Sequence, residues 1–255
     1  EPDRLSPDRI ADQLPKLSPE FRQALKEQPS NDAVMAEVLR HSRVILSQSA
    51  ITRVVADQQA RSVLRVPVAK IGGDPLRWLQ NYPAMIRNVP VLEQAAAGHG
   101  MVTLEPELDG IVRRVPLLLA VRSNLYPTLV VEMLRIATGG NAFAVKTNDA
   151  GIESVVVGGV AIPTDSHGEV WVHYAPRRTG IYVSARDVLD GKVDPARIRG
   201  HLVLVGTSAI GLQDLKATPI QAALPGVEIH AQLLGTVLSN SCLTRPNWAI
   251  GAELF

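Results

Sequence analysis

The sequence predicts an α/β fold: a mixed, partly parallel central sheet with helices packed on its faces and one β-hairpin around Asp109-Gly110. Three observations lead there. Strand-like and helix-like runs alternate in both halves of the chain. His201 to Val205 is apolar after its first residue, as in a strand covered on both faces. Tyr126 to Thr138 carries Leu129, Val130, Met133, Leu134 and Ala137 at helical spacing, between Pro127 in its first turn and the stop Gly139-Gly140.

In chain order, the first 30 residues are polar and proline-rich, with a short helix expected from Pro19 to Gln28. A helix from Asn31 to His41 follows. Ser30 or Asn31 caps it, Asp32 suits its positive end, and Val34, Val38 and Leu39 share a face. Arg43 to Leu46 and Ser62 to Ala69 read as strands, and Gly72 to Pro83 as a breaker-rich stretch. Pro90 opens a short helix that Gly98 ends. Met101 to Leu104 and Ile111 to Val121 read as strands joined by the Asp109-Gly110 turn, with Pro116 marking an edge or bulge. After the helix at Tyr126 come strand-like runs at Ala142 to Lys146, Ser154 to Val157 and Glu169 to Tyr174. A capping-box helix starts at Ser184-Ala-Arg-Asp187. The buried strand His201 to Val205, a loop from Gly206 to Leu224 and a last helix from Val227 to Ser239 complete the chain.

The 255 residues suffice for one large domain or two small ones. Apolar residues make up 46% and aromatic residues only 4%, so the core must be mainly aliphatic. The net charge of +1 provides no basic stripe, and Arg113-Arg114 has no interleaved aromatic platform, so nucleic acid is not an expected partner. Cys242 is the only cysteine, which rules out an intrachain disulfide and metal sites built on paired thiolates. The histidines show no metal-binding spacing, so neither metal nor cofactor is expected. The chain begins with Glu1, not Met, and itself shows no signal peptide, as expected of a trimmed sequence; no run of about 18 apolar residues occurs, so no complete membrane span is expected within the chain. Residues 247–255 read either as the first turns of a transmembrane helix or as a frayed tail.

The polar residues richest in chemical potential follow Val205. Ligands of open α/β sheets sit beyond the carboxyl ends of strands. Thr207 and Ser208 with nearby N–H groups, then Asp214, Thr218, Glu228 and His230, form the candidate ligand-binding set. The bland alternative is a long loop tied down by these groups, with turns at Thr218-Pro219 and Pro225-Gly226. Gly206-Thr-Ser-Ala-Ile-Gly211 is one residue too long for a nucleophile elbow, and it lacks the middle glycine of a dinucleotide loop. A Ser208–His230–Asp214 triad requires a meeting that sequence cannot show. His230 lies on the apolar face of its helix, where a histidine is usually a hydrogen-bonded core residue. Asp109, Gly110, Arg113 and Arg114 read as a turn and staple. Strand alternation would keep the two arginines from facing one ligand, leaving one to pair with Asp109.

These stretches resemble the second type of CHASE domain, the cyclase- and histidine-kinase-associated sensory extracellular domain. The resemblance rests on Glu1-Pro-Asp-Arg-Leu-Ser-Pro7, Asp109-Gly-Ile-Val-Arg-Arg114, Tyr126-Pro-Thr-Leu129, Tyr182-Val-Ser-Ala185 and Val188-Leu-Asp-Gly191. It is most specific in Leu202-Val-Leu-Val-Gly-Thr-Ser-Ala-Ile-Gly-Leu-Gln-Asp214, Thr218-Pro219, Pro225-Gly-Val-Glu-Ile-His-Ala231 and Arg245-Pro-Asn-Trp248. It implies residues 1–246 as an extracytoplasmic sensory domain on the periplasmic side of a bacterial membrane, held there by flanking helices. It also implies homodimers through the receptor, an unidentified small-molecule or environmental signal, and a cytoplasmic nucleotide cyclase or kinase as output. The family's opening strand-helix-strand unit has no counterpart before Glu1, which implies an unpaired sheet edge. Two other readings stand beside it: an α/β hydrolase using Ser208, and a purely structural dimerisation domain.

Overall fold

A computed structural model describes residues 2–53, 66–176, 179–207 and 214–244. Three helices open the chain: α1 (Pro7–Gln13), α2 (Pro19–Lys26) and α3 (Asn31–Arg40). Each begins after a serine in extended conformation, and the Ser18 and Ser30 hydroxyls accept the Phe21 and Ala33 N–H groups. α3 buries Ala36 and Leu39 and leaves Val34 and Val38 exposed, so the expected Val34–Val38–Leu39 face is not buried as one.

A first sheet has the order β4-β1-β5. β1 (Ile45–Ile51) lies parallel to β5 (Gly98–Met101) and antiparallel to β4 (Ala84–Ile86). α4 (Pro90–Ala95) leads into β5 and packs on α3. A second sheet has the order β11-β10-β9-β2, with β2 (Val68–Ile71) parallel to β9 (Phe143–Asn148), and β10 (Gly151–Val157) antiparallel to both β9 and β11 (Val160–Pro163). In a third, β3 (Asn81–Tyr82) runs parallel to β7 (Leu118–Val121), which pairs antiparallel with β8 (Asn124–Pro127). Two antiparallel pairs remain: β6 (Arg114–Pro116) with β12 (Glu169–Trp171), and β13 (Leu215–Thr218) with β14 (Gln221–Pro225). The mixed, partly parallel α/β architecture is therefore present, divided among several small sheets.

α5 (Leu129–Ala137) and α7 (Gly226–Leu238) pack on each other and help close the main core, with Val130, Val131, Ile229 and Leu233 fully buried against Phe143, Val145 and Val155. Smaller clusters form around Met101 and Tyr126, and around Ala36 and Leu39. α6 (Ala185–Leu189) buries no residue.

Two expectations fail. The turn at Asp109-Gly110 forms, with Gly110 at φ +82 and its N–H donating to Glu107 O at 2.8 Å, but it closes no hairpin. β5 before it pairs with β1, β6 after it pairs with β12, and Ile111 and Val112 dock on Ala217 instead. Turn chemistry fixes a reversal; it does not select the partner of the strand that follows. His201 to Val205 is not a buried strand either. Residues 202–207 pair with no strand among the described residues, Val205 is 89% exposed, and only Leu204 packs on the main core. An apolar run is compatible with a covered strand, but a ladder needs a neighbour. The hairpin β13–β14 that follows satisfies itself.

Candidate functional site

The amino end of α7 gathers most of the residues singled out after Val205. Asp214 O accepts the Gly226 N–H at 2.9 Å, and the Asp214 carboxylate lies over Gly226, where a Cβ would sit 2.6 Å from Oδ1. A carboxylate there faces the positive end of the helix. Pro225 precedes the first helical residue, and Gly206 packs against the Val227 side chain, which brings exposed Thr207 to the same end. Glu228 is buried in the first turn. His230 is buried too, with Nε2 3.3 Å from Val102 O and Nδ1 without a hydrogen-bond partner among the described residues. Burial pushes its pKa down, against the pull of the Val102 carbonyl and Asp214, which favours a neutral ring. Thr218 stands apart: its hydroxyl donates to Gln221 O at 3.0 Å and accepts from Gln221 N at 3.2 Å, closing the β13–β14 turn. Ser208 lies outside the described residues, as do residues 245–255, which include the expected start of a membrane helix. Because the strand expected before Thr207 is absent, the topological argument for a ligand there loses its premise.

Around Asp109 the structure builds a charge network. Arg113 holds Asp109 through both guanidinium ends, at 2.7 and 3.1 Å, and also reaches Glu107 at 2.9 Å. Arg114 bonds Glu107 and Asp165, lies 3.3 Å from Glu169, and stacks 5.2 Å above the centre of the Trp171 ring. Both arginines therefore share the Glu107 carboxylate. Alternation does not separate them, because Arg113 precedes β6. The Arg113 guanidinium, and then the Ile111 N–H, hold the Asp109 carboxyl below its usual range.

Sequence reasoning passed over a third constellation. A cavity of about 250 Å³ opens between β1, β5 and α5, and Gln48, Ala96, His99, Tyr126, Glu132 and Arg135 contribute to its wall. Glu132 is fully buried. Its carboxylate accepts Arg135 Nε at 2.7 Å and Nη2 at 2.6 Å, while Arg135 Nη1 donates to Gly140 O at 2.7 Å. Gly98 makes this possible, since a Cβ at that position would lie 2.1 Å from Glu132 Oε1. Behind Gln48 sits a second buried pair: Glu93 Oε1 accepts Gln48 Nε2 at 3.0 Å and Arg87 Nε and Nη2 at 2.9 and 2.8 Å. His99, between these carboxylates, has its pKa lowered by burial, and its Nε2 has no partner among the described residues. The available signal was one acidic and one basic residue three apart within the apolar run Val130-Val-Glu-Met-Leu-Arg135. A wider opening of about 470 Å³ lies past the carboxyl ends of β1 and β5, where the Tyr82 hydroxyl donates to Glu105.

No group of side chains among the described residues is arranged to hold a metal ion. No described helix is long and apolar enough to cross a membrane. Small mixed sheets flanked by helices, with a buried ion pair beside a cavity, define the class of protein as an α/β domain. The family model described as the CHASE2 domain matches residues 3–254, so the chain belongs to the CHASE2 family. CHASE2 is a sensory extracellular domain family of cyclase and kinase receptors, and such a domain is not catalytic. No curated protein and no solved structure matches the chain.

Proposed function

We propose that this chain is the signal-input domain of a bacterial transmembrane receptor, placed on the periplasmic side and regulating a cytoplasmic nucleotide cyclase or kinase. The observation that carries this reading is the family match over residues 3–254, nearly the full length of a chain in which sensing, not catalysis, is the family's role. The fold adds a route. α7 is the last described helix, its amino end is fixed by Asp214, and it packs along α5, which walls the cavity. A change at α5 therefore has a packed neighbour leading towards the carboxy-terminal end, where the tail after Trp248 would enter the membrane. Homodimerisation through the intact receptor would let two such ends move relative to each other.

The test uses the natural polypeptide that contains this chain. Alkaline phosphatase fused after Phe255 and after the following hydrophobic segment reports which side of the membrane each point occupies. Activity at the first junction and loss at the second are expected. Absence of any hydrophobic segment on either flank would overturn the reading.

A further inference from the structure

Buried ion pairs are expensive. Taking both charges out of water costs several kcal/mol per ion, and apolar residues of similar volume usually serve stability as well or better. The wall of the cavity beside α5 nevertheless carries Glu132, fully buried, clasped by Arg135, with Glu93 and Arg87 paired behind Gln48. Buried charge gathered at a cavity marks a candidate functional site.

We propose that this cavity binds a small zwitterion of the free α-amino-acid type. The wall presents one positive and one negative side chain in direct contact, so its net charge is zero. A simple carboxylate there is drawn by Arg135 and repelled by Glu132, and a simple amine meets the reverse. A ligand with both charged groups on one carbon is drawn by both, even though Glu132 itself is shielded and acts through its field. Three donor contacts of Arg135 are spent on Glu132 and Gly140, which leaves N–H groups uncommitted among the described residues for a ligand carboxylate. Gln48 spends its amide nitrogen on Glu93, so among the described residues its carbonyl oxygen remains as an acceptor for an ammonium group. His99 is held towards its neutral form by burial, so it adds no competing cation. The remaining wall includes Ala96 and Pro127, room for a short aliphatic side chain. At about 250 Å³ the space suits a small amino acid, whereas the two ends of a peptide would carry their charges too far apart.

The inference deepens the sensory reading, because such a ligand would be the signal, but binding is measured without the receptor. Thermal unfolding of the 255-residue chain is followed with glycine, alanine and serine, and with acetate, propionate and ethylamine at matched millimolar concentration. The amino acids are expected to raise the Tm with the logarithm of concentration, and the simple ions are not. Ala96→Leu fills the cavity without touching a charge, and Glu132→Leu/Arg135→Met removes the pair while keeping apolar volume. Both should fold and lose the shift, a fall in affinity of about tenfold or more. No shift with any amino acid, an equal shift with acetate or propionate, or a shift retained in folded Ala96→Leu overturns the proposal. Binding that leaves the output of the intact receptor unchanged would count against the sensory reading alone.

Discussion

Glu132 is the residue on which most local energetics converge. It lies inside an apolar helical run, has no exposure, and finds its donors on a single side chain, Arg135. Removing one partner strands the other charge in the interior. Glu132→Ala or Arg135→Ala is therefore expected to cost about 3–5 kcal/mol, while Glu132→Leu/Arg135→Met should fall within about 1 kcal/mol of the parent or above it. Urea unfolding of the three variants measures this, and single variants costing under about 1 kcal/mol would show that the pair is not what it appears from its burial. The sequence already placed His230 on the inner face of its helix, because the position follows from helical period alone. It did not single out Glu132: at helical period that position falls off the Leu129–Val130–Met133–Leu134–Ala137 face, where an acid followed three residues later by Arg135 reads as a solvated pair, and only the fit against Gly98 of β5 reveals its burial.

Among elements, β5 shows how little sequence a tight junction needs. Gly98, His99 and Gly100 run parallel to β1 on one side and against α5 on the other. A Cβ at Gly100 would lie 2.4 Å from Leu129 Cα and 2.8 Å from its N, and backbone cannot turn aside as a side chain can. Gly100→Ala is expected to destabilise by about 3 kcal/mol or more. Gly235→Ala, in α7 with nothing within 4 Å, should instead gain roughly 0.5–1 kcal/mol from helix propensity alone. Denaturant midpoints compare the two, and a neutral Gly100→Ala would mean that α5 can lift from the strand. Helices were largely legible, since Pro19, Ser30 and Pro90 announce their starts locally. Strand pairings were less so. Gly158-Gly159, both at positive φ, join β10 to β11 in the tight-turn geometry that Gly-Gly favours. That signal was legible and went unread. The docking of Ile111 on Ala217, and the isolation of residues 202–207, depend on contacts more than a hundred residues apart or on missing neighbours, which no local pattern encodes.

At the scale of the molecule, stability is unevenly spread. The main core joins α5 and α7 to β9 and β10, and the α/β class was legible because these elements each carry their own periodicity. Residues 180–207 are built differently. None is buried, and Ile181, Leu189, Val203 and Val205 are among the exposed large apolar side chains. Segments with few buried contacts open at little cost, and a protease needs such local opening to seat an extended stretch of chain. Among described lysine and arginine sites, brief trypsin treatment should therefore cut at Arg186, Lys192, Arg197 or Arg199 well before Arg113, Arg114, Arg135 or Lys146. Arg113 and Arg114 are tied into carboxylates, Arg135 is locked to Glu132, and Lys146 sits within the β9 ladder. Mass spectrometry of the early fragments reads the order directly. If residues 180–207 survive as long as the β9–β10 region, those exposed apolar side chains must be covered in solution by another surface, and the chain on its own is then not the folded unit.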